Sequence, residues 1–221
     1  MLRHLLYRVF CSLPLPTYPY RMYMHKRKCI FIHIPKNAGS SILKTLGHKG
    51  GRDHVEWRHY DGANPRWFSQ YKKFAVCRHP LERLYSAYIY ALSAGNHSIQ
   101  DKKLKAYIES NSQSFEQFVE NVLDQSFIQE NVLFKQQYLF IYAADNDLMV
   151  DIVLRFESLQ IDWHAFAVNN NYPTILPEEN FTNQTSLSVS DISQQLNHQA
   201  KLKINTLFKK DFDLFNYRLD T

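Results

Sequence analysis

Short apolar runs alternate with helix-like spacing along this chain. Cys29–Ile34 is mostly apolar and rich in β-branched and aromatic residues, which predicts a strand that Pro35 ends. The spacing of apolar residues over 40–46 then predicts a short helix. The same order recurs further on, with a buried strand predicted over Lys73–Cys77 and an amphipathic helix over 80–95, whose apolar residues form one stripe.

The rest of the chain continues this alternation. Residues 14–28 contain three prolines and several basic side chains, which predicts an extended lead-in to the first strand. Residues 52–64 form a polar segment that contains His54, Glu56 and His59. The remaining apolar spacing predicts a third strand over 149–156, and helices over 65–71, 115–123, 127–141, 157–168 and 192–208.

Strands separated by helices indicate an α/β fold with a central, mainly parallel sheet flanked by helices, in the three-layer arrangement of P-loop-like proteins. No repeat or domain boundary is visible, so we expect a lead-in over 1–27 and a single domain over 28–221. Ligands of such folds bind at the carboxyl ends of the strands. The strand-to-helix junctions at Lys36 and Arg78 should therefore lie at one edge of the sheet.

The composition is that of a globular protein, since 45% of the 221 residues are hydrophobic and 21% are charged, which excludes a disordered or fibrous chain. The net charge of +5 favours an anionic partner, and nucleic acid, an anionic cofactor, an acidic glycan and a lipid surface all fit it. Cys11, Cys29 and Cys77 form neither a disulfide framework nor a metal-ligand spacing, so we expect free thiols in a reducing compartment.

No run approaches the roughly 20 apolar residues that span a bilayer. Residues 1–13 combine basic side chains with leucine, valine and phenylalanine, a pattern typical of a segment that packs on its own domain or of an amphipathic helix on a membrane surface. Both interpretations stay open. The expected location is the cytoplasm, with peripheral contact at the inner face of a membrane as the alternative.

The junction after the first strand has the chemistry of an anion site. It directs backbone N–H groups and the positive end of a helix dipole to one point, Ser40 and Ser41 add hydroxyl donors, and Lys36 adds a positive charge. A nucleoside triphosphate loop would need Gly-x-x-x-x-Gly-Lys-Ser/Thr, with the lysine late. Here Lys36 precedes the single glycine, Gly39, and the loop is shorter, which counts against a triphosphate.

The second junction adds another anion ligand. Arg78 offers a planar guanidinium at a strand end, and Ser86 lies in the second turn of the following helix, away from its apolar stripe, so both can face one anion. The alternative for Arg78 is an ordinary ion pair with Glu82. Arg83 is interpreted as a surface or scaffold cation.

Two motifs together resemble those of sulfotransferases that use 3′-phosphoadenosine 5′-phosphosulfate (PAPS). Ile-Pro-Lys-Asn-Ala-Gly-Ser-Ser-Ile at 34–42 resembles their loop for the 5′-phosphosulfate, and Cys-Arg-His-Pro-Leu-Glu-Arg-Leu-Tyr-Ser-Ala-Tyr at 77–88 resembles their 3′-phosphate motif. Leu-Arg-Phe-Glu-Ser-Leu at 154–159 and Asp-Phe-Asp-Leu-Phe-Asn-Tyr at 211–217 are similar to segments of carbohydrate sulfotransferases of the heparan 2-O and chondroitin type and their bacterial relatives. The resemblance covers about residues 28–218.

The resemblance implies transfer of a sulfuryl group from PAPS to a hydroxyl by in-line displacement, with adenosine 3′,5′-bisphosphate as the other product. It implies that Lys36 stabilises the leaving group and that Arg78 and Ser86 bind the 3′-phosphate. The residues implied at the 5′-phosphosulfate are Lys36, Asn37, Ala38, Gly39, Ser40 and Ser41. Asn37 stands where the family more often has threonine, and it keeps a side-chain donor.

The implied acceptor is a carbohydrate or a glycolipid, with no nucleic-acid partner and no metal. An acceptor hydroxyl loses a proton as it attacks, so a general base is expected. In the resembling enzymes this base is a histidine soon after the first helix, and His54 fits that placement. Glu56 and His59 in the same polar segment stay open as alternatives, while His33 is interpreted as a core or subsite residue.

Two other classes of function stay open on the sequence alone. One is a nucleotide-dependent kinase on a P-loop-like sheet, and the other is a non-catalytic relative that binds an anion or a glycan. The identity of the acceptor, the position sulfated and the oligomeric state have no signal in the sequence, because the loops around a cleft set them.

Overall fold

The computed structural model describes residues 18–177 and 187–218. Residues 1–13, with their two interpretations, lie outside this range. None of the described helices is both long and apolar enough to cross a bilayer.

The elements in chain order are α1 Met22–Arg27, β1 Cys29–Ile32, α2 Gly39–Thr45, α3 Trp57–Ala63, α4 Pro65–Gln70, β2 Lys72–Cys77, α5 Pro80–Leu92, α6 Ile99–Asn111, α7 Phe115–Asn121, α8 Gln125–Glu130, α9 Tyr138–Ile141, β3 Ile152–Arg155, α10 Leu159–Asn170, α11 Val189–Ser193, α12 His198–Leu207 and α13 Lys209–Leu214.

The described residues pack as two compact units. The first unit contains residues 18–34, 38–76 and 139–177. The second unit contains residues 35–37, 77–138 and 187–218. The expectation of a single domain over 28–221 concerns how the chain folds and is not tested by this division, so it stays a prediction.

A small parallel sheet of three strands has the order β1-β2-β3. β1 and β2 pair in parallel, with Cys29 opposite Lys72 and Ile32 opposite Ala75. All of β1 and the last four residues of β2 are buried, which explains why both strands are continuous apolar runs. The predicted mixed α/β fold with a parallel sheet is confirmed, and the carboxyl ends of β1 and β2 lie at the same edge. The three-layer, P-loop-like arrangement stays a prediction.

Aromatic side chains form the core of the first unit. The rings of Phe31 and Phe74 stack across β1 and β2 at a centroid distance of 5.0 Å. Phe166 of α10 packs on Phe74 at 4.8 Å. Trp163, also on α10, is fully buried, and its indole N–H donates to the Pro173 carbonyl oxygen at 3.0 Å. These contacts fix α10 on the sheet.

The core of the second unit lies among α5–α8 and α11–α13. On α5 the predicted stripe is confirmed at Leu81, Leu84 and Tyr88, which are buried in this core. The other large fully buried members of the core are Phe118, Phe134 and Phe208, together with Leu123, Ile108, Ile128, Ile192 and Ile204.

Arg83 is a scaffold residue of the second unit. It is fully buried on α5, and its guanidinium donates to the carbonyl oxygens of Leu133, Phe134 and Lys135 at 3.1, 3.2 and 2.8 Å. Burial lowers its pKa to about 10, while the charge of Asp211 acts in the opposite direction. The interpretation of Arg83 as a surface cation is therefore wrong, and the scaffold interpretation is confirmed.

Asp211 of α13 binds backbone groups shortly after the segment 133–135 that Arg83 contacts. Its fully buried carboxylate accepts hydrogen bonds from the backbone N–H groups of Gln137 at 2.9 Å and Tyr138 at 2.8 Å. Burial raises the pKa of Asp211 to about 6, and the Arg83 charge and the hydrogen bonds from Gln137 and Tyr138 only partly offset this effect.

The lead-in to β1 is not extended throughout. Met22–Arg27 forms the helix α1, in which Tyr23, Met24 and His25 are buried. The prediction of an extended segment over 14–28 is therefore wrong for these residues. Its prolines precede the helix, and the burial of one helix face depends on tertiary contacts that charge content does not reveal.

Two long helix predictions are also wrong. Residues 127–141 contain the end of α8 and all of α9, with a loop between them. Residues 192–208 contain the end of α11 and all of α12, because the Asn197 side chain accepts a hydrogen bond from the backbone N–H of Ala200 and begins a new helix. The strand predicted over 149–156 is confined to β3.

The Asp211→Asn substitution should remove a pH dependence from folding. Because burial raises the pKa from 3.8 to about 6 in the folded state, the protonated carboxyl contributes stability below about pH 4. That contribution is lost as the pH rises through about 6. The free energy of unfolding of the wild type, relative to Asp211→Asn, should fall by about 2 kcal/mol between pH 4 and pH 7.

Urea unfolding of both proteins across this pH range measures the difference. Groups that titrate in both proteins cancel in the comparison. A difference that does not change with pH, or that grows as the pH rises, would contradict the raised pKa.

Candidate active site

The loop after β1 has a backbone that suits an anion. Lys36 has a φ of 70° and Ala38 a φ of 55°, whereas Asn37 and Gly39 are not in the positive-φ region. The proline ring fixes a negative φ at residue 35, so the sign of φ alternates from residue to residue. In the concave nests that bind anions, alternation of this kind turns successive N–H groups to one side. The first helical hydrogen bond of α2 runs from Ile42 N–H to the Ala38 carbonyl, at 3.3 Å.

Lys36 is half-buried in the second unit, and its ammonium lies over an aromatic ring. The distance from Nζ to the ring centroid of Tyr90 on α5 is 4.1 Å. This is cation–π geometry, which stabilises a charged lysine in one position. Tyr90 could not be predicted from the sequence, because its contact with Lys36 depends on how α5 packs.

Asn37 is fully buried in the same unit, and its side-chain Nδ2 donates to Oε1 of Gln137 at 2.8 Å. The side-chain donor predicted at Asn37 thus bonds to Gln137 of the protein itself. If Asn37 contacts a ligand, its backbone N–H is the group that does so.

Arg78, Glu82 and Ser86 follow one another at helical spacing at the start of α5. Nε of Arg78 bonds to Oε2 of Glu82 at 3.2 Å, so the ion pair that was the alternative for Arg78 is present. Residues four apart lie on one helix face, which places Ser86 next to Glu82 on this face. Arg78 and Ser86 are both buried. A guanidinium has five N–H donors, and the bond to Glu82 uses the one on Nε.

Gly39 and His33 contact each other closely in the first unit. A Cβ at residue 39 would lie 1.7 Å from Nε2 of His33. The His33 ring is buried and stacks on Phe31 at a centroid distance of 5.5 Å. The glycine in this loop is therefore required by a side chain of its own protein, a reason that the sequence did not show.

His54 lies beside His33, with 4.4 Å between the ring centroids. Its Nδ1 is 3.2 Å from the backbone carbonyl oxygen of His33. Because a carbonyl can only accept, Nδ1 carries the proton, and the lone pair of the neutral ring is on Nε2. This is the tautomer that a general base needs.

The two alternatives to His54 have other surroundings. His59 is exposed on α3. Glu56 is buried and forms an ion pair with Arg58.

Ser40 and Ser41 are half-buried on the first turn of α2. The hydroxyl oxygen of Ser40 accepts a hydrogen bond from Nη1 of Arg52 at 3.2 Å. Arg52 precedes His54 by two residues, so a second cation belongs to this part of the first unit. Sequence reasoning missed Arg52, although its basic side chain next to a candidate base was a usable signal.

A comparison with known protein families gives this arrangement its context. A family model described as the sulfotransferase family matches residues 20–218. The chain belongs to the sulfotransferase family. The match begins in front of α1 and so extends the resemblance seen over 28–218. Searches of curated proteins and of solved structures found no match.

Family membership makes this chain a transferase of sulfuryl groups. Such a transfer needs cations and N–H donors around an oxyanion, and a base for the acceptor. In the second unit of this sulfotransferase, the residues brought together are Lys36, Asn37 and Arg78, with Tyr90 and Gln137 as neighbours that the sequence did not predict. In the first unit they are Gly39 with His33 and His54, and Ser40 with Arg52.

The Gly39→Ala substitution should destabilise the sulfotransferase. The added methyl group would overlap the His33 ring, which is held between Phe31 and His54 and has to leave its position. We expect a loss of about 1–3 kcal/mol in unfolding free energy, the usual range for overpacking. Denaturant unfolding measures this loss.

Gly62→Ala is the matched control. Gly62 lies on α3, and a Cβ there would meet no atom within 4 Å. This change should be neutral or slightly stabilising, because alanine is the better helix former. Equal effects of the two substitutions would show that the His33 contact is not what requires glycine.

Proposed function

We propose that this sulfotransferase transfers the sulfuryl group of PAPS to a hydroxyl of a carbohydrate. The observation that carries the proposal is the short loop after β1, in which φ alternates in sign and Lys36 precedes the only glycine. Its size suits a single phosphosulfate group better than a triphosphate. The likeness to heparan 2-O and chondroitin sulfotransferases supports a carbohydrate acceptor.

The residues present fit the donor chemically. The alternating backbone from Lys36 to Gly39 supplies N–H donors for the 5′-phosphosulfate, and the first turn of α2 adds those of Ser40 and Ser41. Arg78 and Ser86 supply the ligands for the 3′-phosphate. When bound, PAPS supplies a sulfuryl group whose bond to the 5′-phosphate oxygen breaks as the acceptor oxygen bonds to sulfur.

Lys36 and His54 have opposite tasks in this proposal. Lys36 stabilises the negative charge that develops on the departing 5′-phosphate oxygen, and charge stabilisation is the main contribution in such transfers. His54 takes the proton of the acceptor hydroxyl on Nε2, while the bond from Nδ1 to the His33 carbonyl holds the ring. His54 therefore holds the proton that the acceptor hydroxyl loses. The departing 5′-phosphate oxygen stays negatively charged, next to the ammonium group of Lys36.

Transfer of labelled sulfate from PAPS to a panel of glycans, glycolipids and phenols tests the function. We expect a carbohydrate to be labelled, and we expect Lys36→Ala to lower the rate by about 10²–10³-fold. A folded protein that transfers no label to any member of a broad panel would favour a non-catalytic binding relative.

His54→Ala should lower the turnover number by about 10²–10⁴-fold, because it removes the base but no ligand of the nucleotide. The dissociation constant of adenosine 3′,5′-bisphosphate should stay close to that of the wild type. His59→Ala is the matched control, since His59 is exposed on α3 and should leave both quantities unchanged. If His59→Ala abolishes turnover and His54→Ala does not, the base is His59.

Arg78→Ala and Glu82→Gln together distinguish phosphate binding from a structural ion pair. Loss of a bidentate phosphate ligand should weaken adenosine 3′,5′-bisphosphate binding by about 10–100-fold in Arg78→Ala. Glu82→Gln removes the same ion pair and keeps the guanidinium, so it should change the affinity by less than about threefold. Isothermal titration calorimetry of both variants measures the dissociation constant of adenosine 3′,5′-bisphosphate. Equal losses of affinity in the two variants would mean that Arg78 acts through its ion pair with Glu82.

A further inference from the structure

The side-chain amide of Gln137 lies at the centre of a buried hydrogen-bond network in the second unit. Its Oε1 accepts from Nδ2 of Asn37 at 2.8 Å and from the backbone N–H of Arg78 at 3.0 Å. Its Nε2 donates to the backbone carbonyl oxygen of Arg78 at 2.8 Å. Gln137 itself is fully buried. One amide therefore joins the loop that follows β1 to both backbone groups of the residue that follows β2.

We infer that Gln137 is a positioning residue that holds the loop of Lys36 and the segment of Arg78 at a fixed distance, so that both ends of one nucleotide are bound together. This inference rests on the proposed function, in which these two segments bind opposite ends of PAPS. A ligand held at two ends is sensitive to small displacements of either end, because the contacts have to be made at the same time.

Burial makes this amide costly to replace. Asn37 Nδ2 and the N–H and carbonyl groups of Arg78 all bond to it inside the protein. A buried polar group that loses such a partner is destabilised far more than one at the surface. Without Gln137 these groups should rearrange to find other partners, and the loop and the strand end would shift with them.

The backbone of Gln137 is itself held by buried charges. Asp211 accepts from the N–H groups of Gln137 and Tyr138, and Arg83 donates to the three carbonyl groups of residues 133–135. Charge-assisted hydrogen bonds of this kind are among the strongest in proteins. These bonds hold the backbone of the segment 133–138 in place. The Gln137 side chain therefore starts from a fixed backbone position when it bonds to Asn37 and Arg78.

Gln136 provides a matched control in the neighbouring position. It is also buried, and its Nε2 donates to the Leu207 carbonyl oxygen at 3.2 Å and lies 3.5 Å from Oε1 of Gln125. None of these partners belongs to the proposed nucleotide site. Replacing Gln136 removes a buried amide of the same size from the same segment, and so measures the structural cost alone.

The test compares Gln137→Ala with Gln136→Ala by two measurements, the melting temperature and the dissociation constant of adenosine 3′,5′-bisphosphate. Both variants should lower the melting temperature. Only Gln137→Ala should weaken nucleotide binding, by about tenfold or more, because it releases the groups that place the ligands. Equal dissociation constants for the two variants would overturn the positioning role.

Asn37→Ala tests the same bond from the loop side and applies even if Gln137→Ala does not fold. It keeps the backbone N–H of residue 37 and removes the side-chain bond to Gln137. We expect Asn37→Ala alone to weaken nucleotide binding by about fivefold. Where Gln137→Ala folds, adding Asn37→Ala to it should have no further effect, since the effects of two residues of one interaction are not additive. An unchanged affinity in Asn37→Ala, or additive effects in the double variant, would contradict the inference.

The wild type separates this inference from the proposed function. If the wild-type protein binds no adenosine 3′,5′-bisphosphate, the proposed function fails. If the wild type binds it and the Gln137 and Gln136 variants behave alike, the function stands and only the positioning role of Gln137 is wrong.

Discussion

The loop between β1 and α2 has to keep Lys36 and Ala38 in left-handed backbone conformations that residues with side chains rarely adopt, at a cost of order 1–3 kcal/mol for each. The contacts around the loop offset that cost. In the second unit the Lys36 ammonium lies on the Tyr90 ring and the Asn37 amide bonds to Gln137. In the first unit the His33 ring fills the space beside Gly39. A strained loop held in this way presents its N–H groups before any ligand binds, which is the preorganisation that electrostatic catalysis depends on.

Buried charge in the second unit serves the same loop indirectly. Arg83 and Asp211 are both fully buried, and together they satisfy backbone groups of the segment 133–138. Such groups are expensive to bury without partners, so a segment that binds two charges is difficult to move. Gln137 belongs to this segment, and its side-chain bonds hold Asn37 and Arg78 in place relative to the segment. The inferred positioning of Asn37 and Arg78 therefore depends on Arg83 and Asp211, which are not among the proposed nucleotide ligands.

The parts of the fold that local sequence determines were predictable. β1 and the last four residues of β2 are buried and form continuous apolar runs, and the stripe of α5 follows from its spacing. Elements that depend on a single capping residue or on tertiary burial could not be predicted. The break between α11 and α12, where Asn197 caps a new helix, is an example. In the site, the loop and Arg78 carry recognisable residue types. The contact of Gln137 with Asn37 joins residues 100 positions apart, so neither residue indicates the other in the sequence. His33 and Gly39 are close in the sequence, but their contact depends on how the loop turns back towards the end of β1.

The central claim is that the loop after β1 and the Arg78 segment bind a nucleotide with a 3′-phosphate and a single group at the 5′ position. Competitive titration of the wild-type protein with adenosine 3′,5′-bisphosphate and with ATP tests it most directly. Because Lys36 precedes the only glycine of a short loop and Arg78 is the proposed 3′-phosphate ligand, adenosine 3′,5′-bisphosphate should bind at least about tenfold more tightly than ATP, a difference of about 1.4 kcal/mol. Tighter binding of ATP would contradict the claim and identify the loop as a triphosphate site.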